Sequence, residues 1–267
     1  MDAKDKNGQT PLHVATQRGY ASIVTALIHN GAHIDEYNVF SETPLLIAAD
    51  VEIVSILLEN GASVNNTDNE ERNALHRAAL QGNAAVVSVL LENGASIEAL
   101  DPAGSTALHL AASEGHVDAV SLLLQNGASI KAVNYEEFTA LHCAAYEGHV
   151  DIVSILLENG ASINAVTEIK STALHLAAQE GYPEVAKVLI ENGASVNDVD
   201  EYDCTPLVGL TESEEIDEGH IKVARLLIRK GAKMNEYKSP VYVVREYSLL
   251  MSHLTQIILS NTQVLCV

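Results

Sequence analysis

The sequence predicts an all-α solenoid of about seven paired-helix repeats followed by a degenerate C-terminal cap, and three observations carry that prediction. A short motif returns at Thr10, Thr43, Asn73, Thr106, Thr139, Thr172 and Thr205, at spacings of 33, 30, 33, 33, 33 and 33 residues. Its words are TPLHVA, TPLLIA, NALHRA, TALHLA, TALHCA, TALHLA and TPLVGL, and each is followed by a Leu/Val/Ile run that ends in Gly-Ala. Trp is absent and only two Phe occur among 267 residues, so the apolar mass of Leu, Val, Ile and Ala suits thin helix packing.

The fourth unit shows why each word begins a helix. Thr106 is a good N-cap, and Leu108, Ala111 and Ala112 follow at helical spacing as a buried stripe. Gly115 supplies a turn. A second helix is expected from about Val117, with Val117, Val120, Leu123 and Leu124 on one face and Asn126-Gly127 as its C-terminal stop. A loop from Ala128 to Phe138 then leads into the next unit. Pro11, Pro44 and Pro206 fall at the first helical position, where the missing N–H costs nothing. One helix pair cannot bury its own apolar face, so the units must stack.

From Asp5 to Ala232 these words resemble the ankyrin repeat. The resemblance implies L-shaped units, each with two antiparallel helices and a projecting β-turn finger, stacked into a curve with a concave groove. Asp5-x-x-Gly8 and Asp101-x-x-Gly104 keep the family's finger turn, whereas Ser41, Glu71, Glu137, Lys170 and Asp203 replace its Gly, which implies looser fingers. His13, His76, His109, His142 and His175 hold the fourth place of the word. The resemblance gives them a structural role, a hydrogen bond near the helix start that ties adjacent units, in place of metal ligation.

Two units depart from the period. The second is three residues short, with Ala49-Asp50-Val51 replacing a Gly-His turn, as a tolerated deletion or a functional joint. A local distortion is expected there. The seventh spans fourteen positions from Thr205 to the expected turn glycine, Gly219, where regular units span nine. Five residues are added, and the enlarged acidic loop, Thr211 to Glu218, is either solvated or in contact with a basic partner. Residues 1–238 are accordingly assigned to a repeat domain and 239–267 to a capping repeat or tail. In the latter, Ser239 to Val244 opens a degenerate repeat and a helix is expected around Leu254 to Leu259.

A formal net charge of −21 argues against nucleic acid as a ligand, since phosphate contacts need clustered Lys and Arg. The N-terminus lacks the apolar core of a secretory signal, and polar residues interrupt the apolar tail from Leu249 to Val267, so no membrane span is expected. Cys143, Cys204 and Cys266 are odd in number and far apart, which suits a reducing, cytoplasmic setting. Cys143 beside His142 is not a nucleophile pair, because neighbouring helical residues point about 100° apart. No phosphate loop, HExxH or GxSxG word is present, so neither catalysis, a cofactor nor a metal is expected.

Binding is expected where the resemblance leaves surface free of stacking, at the finger tips and the exposed ends of the first helices. Glu114, Glu147 and Glu180 recur at a strict period of 33 as a carboxylate ladder. The fingers add Glu70, Glu71, Glu136, Glu137, Glu168, Asp200, Glu201 and Asp203. Between Asn73 and Ala186 thirteen Asp or Glu face three cations, Arg77, Lys131 and Lys170. Such a field either keeps the chain solvated and monomeric or attracts a basic partner.

Tyr37, Phe40, Tyr135, Phe138, Tyr146 and Tyr202 fall on fingers or the inner rim, either as interface anchors or, for Phe40 and Phe138, as finger-to-finger packing. The expected function is a protein-interaction module, a scaffold, adaptor or inhibitor that holds a protein or peptide with a basic face. The alternative is the recognition arm of a larger enzyme or secreted effector. Lys222, Arg225, Arg229, Lys230, Lys233, Lys238 and Arg245 make the C-terminal end basic, through macrodipole complementation or as a second docking site, a self-association surface or a contact with anionic membrane.

Overall fold

A computed structural model describes residues 2–210, 213 and 216–233. The expected cap at 239–267, Lys238, Arg245 and four residues of the acidic insertion, Thr211, Glu212, Glu214 and Glu215, lie outside them. Two compact units divide the chain, residues 1–135 and 136–267. The first contains α1 (Pro11–Gln17), α2 (Ala21–His29), α3 (Pro44–Ile47), α4 (Val51–Glu59), α5 (Ala74–Leu80), α6 (Ala84–Glu92), α7 (Ala107–Ser113) and α8 (Val117–Gln125). The second contains α9 (Ala140–Tyr146), α10 (Val150–Glu158), α11 (Ala173–Gln179), α12 (Pro183–Glu191), α13 (Pro206–Gly209) and α14 (Glu218–Arg229). Among the described residues there is no strand, only an isolated bridge between Thr67 and Asn73.

Five of the seven words open a helix through the same device; the second and seventh have Leu46 and Val208 in place of its histidine. The N–H of Thr106 donates to Nδ1 of His109 over 3.2 Å, and Nε2 of that ring lies 3.1 Å from the Ala132 carbonyl. Because Nδ1 accepts, Nε2 must carry the proton and donate to the carbonyl. One neutral imidazole thus completes a capping box and ties its repeat to the next. His13 and His76 repeat the arrangement in the first unit, reaching the carbonyls of Glu42 and Ala99, and His142 and His175 in the second, reaching Ala165 and Cys204. The bridging role implied by the family resemblance is what these contacts show.

Packing within each unit follows the predicted stripe. Leu108, Ala111 and Ala112 are buried, as are Val120 and Leu123 on α8, but Ala119 completes that face while Val117 and Leu124 are only half-buried. In the first unit α5 packs on α7 and α6 on α8; in the second α9 packs on α11 and α10 on α12. The second helices end in a Schellman turn: Ala128 N–H reaches the Leu123 carbonyl and Gly127 N–H the Leu124 carbonyl, both at 3.0 Å. A further tie crosses between repeats after the helix–helix turn. His116 Nε2 meets the Leu80 carbonyl at 2.9 Å, and its ring lies where a Cβ on Gly82 would fall, so that turn requires glycine for space as well as for its φ of +66°.

The fingers differ from expectation. Ser41, Glu71, Glu137, Lys170 and Asp203 all adopt positive φ, between 53° and 62°, and so occupy the glycine's left-handed conformation. Lys170 N–H bonds to Thr167 at 2.8 Å just as Gly104 N–H bonds to Asp101 at 2.9 Å. The turn is kept and not loosened. Hydrogen bonds within the finger, such as those accepted by the Asn38, Asp68 and Asp200 side chains that open their turns, hold the backbone there against the steric preference of an L-residue.

Both irregular repeats are absorbed locally. In the second, α3 is a single turn and Ala48 is extended, which is the expected distortion, yet Asp50 accepts from Glu52 N–H and Ile53 N–H and starts a full nine-residue α4. A cleft of about 360 Å³ remains between Thr16–Gly19 and Ile47, Ala49 and Asp50. In the seventh, Gly219 is not a turn glycine. It lies inside α14, which is lengthened to 12 residues and capped by Asp217. The tie survives: His220 Nε2 meets the Gln179 carbonyl at 2.9 Å, as His116 meets Leu80 three repeats earlier.

Two outcomes follow for stability. Burial holds His13, His76 and His175 below the ordinary imidazole range, against the opposing effect of their carbonyl bonds. A depressed folded-state value means that the unfolded chain takes up the proton first. The contribution is therefore complete above about pH 6.5 and lost as pH falls below it toward the depressed values. Urea midpoints should drop between about pH 7.5 and 5.5, with His175→Gln flattening that dependence. Second, Glu137→Gly and Lys170→Gly should each stabilise by about 0.5–1 kcal/mol, the steric relief less the entropy of glycine, whereas Gly104→Ala should destabilise. Thermal melts check both signs.

Candidate interaction surface

The ladder residues are helix C-caps. Glu114 ends α7, Glu147 ends α9 and Glu180 ends α11. Because α9 packs on α11, Glu147 and Glu180 are neighbours in the second unit; Glu114 belongs to the first and is exposed. Burial pushes Glu180 above the ordinary carboxylate range, His220 pulls it back and Glu147 pushes it up again, with a net upward shift. Tyr182 is raised as well, by burial first and then by Glu180, Glu147 and Tyr146. The structure thus gathers Tyr146, Glu147, Glu180 and Tyr182 at the end of the α9–α11 pair. Tyr182 escaped the sequence reading because it occupies the place that His116 and His149 hold, where the signal is structural.

On the fingers, Phe40 is 56% and Tyr135 70% exposed. The Tyr135 ring lies over Gly104, and its N–H donates to the Ala103 carbonyl at 3.0 Å, which joins two fingers. Phe138 does not project in the same way. It is half-buried and meets the ring of His142 edge-on, with centroids 5.7 Å apart, so it packs on the capping residue of its own repeat. Tyr37 and Tyr202 are exposed, and the Tyr37 carbonyl accepts from Lys4 Nζ. Glu70 pairs with Arg72 at 2.7 Å. Glu136 and Glu168 are joined through their backbones, Glu168 N–H to the Glu136 carbonyl, and Glu201 N–H donates to the Ile169 carbonyl.

Arg77 does not offset the acidic field at the surface. Its Nη2 lies 2.7 Å from both Asp68 and Glu42, in the fingers of two successive repeats, and Asp68 also caps its own turn by accepting from Glu70 N–H and Arg72 N–H. Burial alone would raise Asp68, but Arg77 and these N–H donors outweigh it and hold it below the ordinary carboxylate range.

Sequence reasoning missed exposed apolar residues immediately before finger turns, Leu100 and Val133 in the first unit and Val166 and Val199 in the second. Their signal was present as Leu or Val at a period of 33.

One constellation has the composition of a catalytic triad. Ser213 Oγ lies 3.0 Å from His220 Nε2, and His220 Nδ1 lies 2.6 Å from Asp217. The protons are misplaced for that chemistry. A carbonyl only accepts, so Nε2 must carry a proton toward Gln179, and the Ser213 hydroxyl also donates to that carbonyl. No lone pair is left to take the serine proton. Burial pushes the Cys143 thiol up to about 12, which makes it a poor nucleophile. Among the described residues no group of three His, Cys, Asp or Glu is placed to hold a metal, and no helix is long and apolar enough to cross a membrane.

Stacked helix pairs with hydrogen-bonded fingers define a helical repeat protein. Family profiles agree: ankyrin repeat matches residues 7–39 and 41–69, ankyrin repeats (many copies) 57–111, and ankyrin repeats (3 copies) 95–167 and 164–238. The chain belongs to the ankyrin repeat family, whose repeats are protein-interaction modules. It is 32% identical over 83 residues to a transient receptor potential cation channel subfamily A member 1 homolog of Caenorhabditis elegans. It is 36% identical over 75 residues to inversin of Danio rerio and 38% identical over 88 to NF-kappa-B inhibitor delta of Mus musculus. These matches cover 30%, 27% and 30% of this chain but only 7%, 7% and 26% of the relatives.

Removing the Arg77 side chain would leave the Asp68 carboxylate, whose side chain is 5% exposed, without its cation. Arg77→Ala should therefore cost about 2 kcal/mol, less than a fully buried pair because Arg77 and Glu42 are partly solvated. A urea titration checks this.

Proposed function

We propose that the chain is a non-enzymatic interaction module, a scaffold, adaptor or inhibitor, that holds a partner protein with a basic face on its finger tips and first-helix ends. In this reading Glu114, Glu147, Glu180, Glu70, Glu136, Glu168 and Glu201 attract and orient the partner, while Tyr37, Phe40, Tyr135, Tyr146 and Tyr202 anchor it. Phe138 supports the same surface from beneath. The observation that carries the reading is the side-by-side placement of Glu147 and Glu180 at the packed ends of α9 and α11, where burial first and then the Glu147 charge push Glu180 above the ordinary carboxylate range. Like charges held side by side are relieved when a cation binds between them. The setting is a reducing, cytoplasmic one, and the free chain is a monomer.

A second reading is supported by the small share of each relative that the match covers. In it these repeats are the recognition arm of a larger protein, with the same surface at work. Either way binding should weaken with salt, since screening shortens from about 10 Å at 0.1 M to about 3 Å at 1 M. The full chain, immobilised and exposed to a cytosolic extract, should retain proteins at the lower salt and release them at the higher. The triple variant Glu114→Lys, Glu147→Lys, Glu180→Lys should retain few of them. Unchanged capture with unchanged salt dependence would sink this reading.

A further inference from the structure

Two adjacent fingers of the second unit expose apolar side chains in a repeated pattern. Val166 and Val199, 44% and 41% exposed, stand immediately before the turns; Ile169 and Tyr202, 41% and 50% exposed, are the third residues of those turns. The fingers are joined by the hydrogen bond from Glu201 N–H to the Ile169 carbonyl, so the four residues belong to one connected surface. The first unit repeats the position before the turn with Leu100 and Val133, 48% and 49% exposed. Stacking does not require these residues, because they stay in water after the helices have packed. Apolar side chains kept in water at a strict period point to a binding duty.

The charges around the four are one-sided. Residues 164–171 and 197–204 carry Glu168, Asp198, Asp200, Glu201 and Asp203 against Lys170. Packed helices sit about 8–10 Å apart, and successive fingers follow their helices. Three residues of extended or polyproline chain cover about 9–10 Å.

We infer that this finger surface holds an extended segment of a partner protein in which apolar residues recur every third position with Lys or Arg between them. The apolar residues seat on Val166 and Ile169 of one finger and Val199 and Tyr202 of the next, and the cations meet Glu168 and Glu201. This deepens the interaction-module reading and rests on it. It moves the source of affinity from the helix-end carboxylates to the fingers, with charge fixing register.

Displayed random peptides selected on the full chain provide the probe. Enriched sequences should share Leu, Ile or Val three residues apart with Lys or Arg between. The synthetic peptide, titrated by fluorescence anisotropy, should bind the Val166→Ser, Val199→Ser double variant about tenfold more weakly. Both positions are exposed, so an unchanged circular dichroism melt shows that the variant folds. The Glu147→Lys, Glu180→Lys variant should also weaken the peptide, but only by about threefold, because those carboxylates steer the segment while the fingers seat its apolar residues.

Enrichment of purely basic peptides that ignore the serine variant but fail on the lysine variant would overturn the finger inference and leave the interaction reading standing. Selection of no peptide, or sedimentation showing a dimer of the parent that the serine variant abolishes, would also overturn it. The capture experiment above then decides separately whether the chain binds partners at all.

Discussion

A buried, neutral imidazole bonded on both sides is the constraint on which the rest of this molecule depends. Five of the seven repeats begin where a residue such as Thr106 offers its N–H to Nδ1 of a histidine three positions on, and that ring hands its own proton to a carbonyl of the following repeat. The helix cap, the separation of neighbouring repeats and the height of the finger are thereby fixed by one side chain. The second tie, from the residue after the helix–helix turn back to the preceding repeat, uses the same logic in the other direction, through His116 in one unit and His220 in the other. Short helices of seven and nine residues would be marginal alone. Fixed at both ends to their neighbours, they form a stack whose interior needs little more than Ala, Val and Leu.

This arrangement also explains how two length changes leave the stack intact. In the second repeat three residues are missing and α3 shrinks to one turn, but the carbonyl of Ala49 still accepts from Asn83, and Arg77 joins the fingers on either side through Glu42 and Asp68. In the seventh, five additional residues are taken up between α13 and α14, and His220 reaches Gln179 regardless. Regularity is demanded only where a group must find its partner in the next repeat, so the connecting segments are free to vary.

The surface shows a corresponding division. Positions used in stacking are buried or bonded to the next repeat, and the exposed acidic and apolar side chains that recur at the same period are found on finger tips and first-helix ends. Acidic side chains dominate there, yet the apolar rows at Val166 and Val199 and at Leu100 and Val133 show that the fingers are not simply wet. The one Ser-His-Asp grouping falls on the stacking side of this division. His220 spends its proton on a backbone carbonyl, as the other ties do, and Ser213 bonds to the same oxygen.

Most of the fold was legible because its stabilising contacts recur at a constant separation along the chain. Thr, Leu, His and Ala at fixed offsets specify the cap, the buried stripe and the tie, and Gly-Ala specifies the Schellman turn. Other features depended on contacts that no local pattern encodes. Lys170 and Glu71 look unsuited to a glycine turn, but the hydrogen bonds of the finger hold them at positive φ. Gly219 reads as a turn glycine until Asp217 caps a helix that contains it. Phe138 is half-buried because its ring meets that of His142 edge-on, a contact that residue type and spacing alone do not reveal. The sequence by itself determined the repeat, its caps and its acidity, because these depend on residue type and spacing alone; tertiary structure decided which charges are spent on neighbours, as at Arg77, and which apolar residues remain in water, because burial is a property of the packed stack.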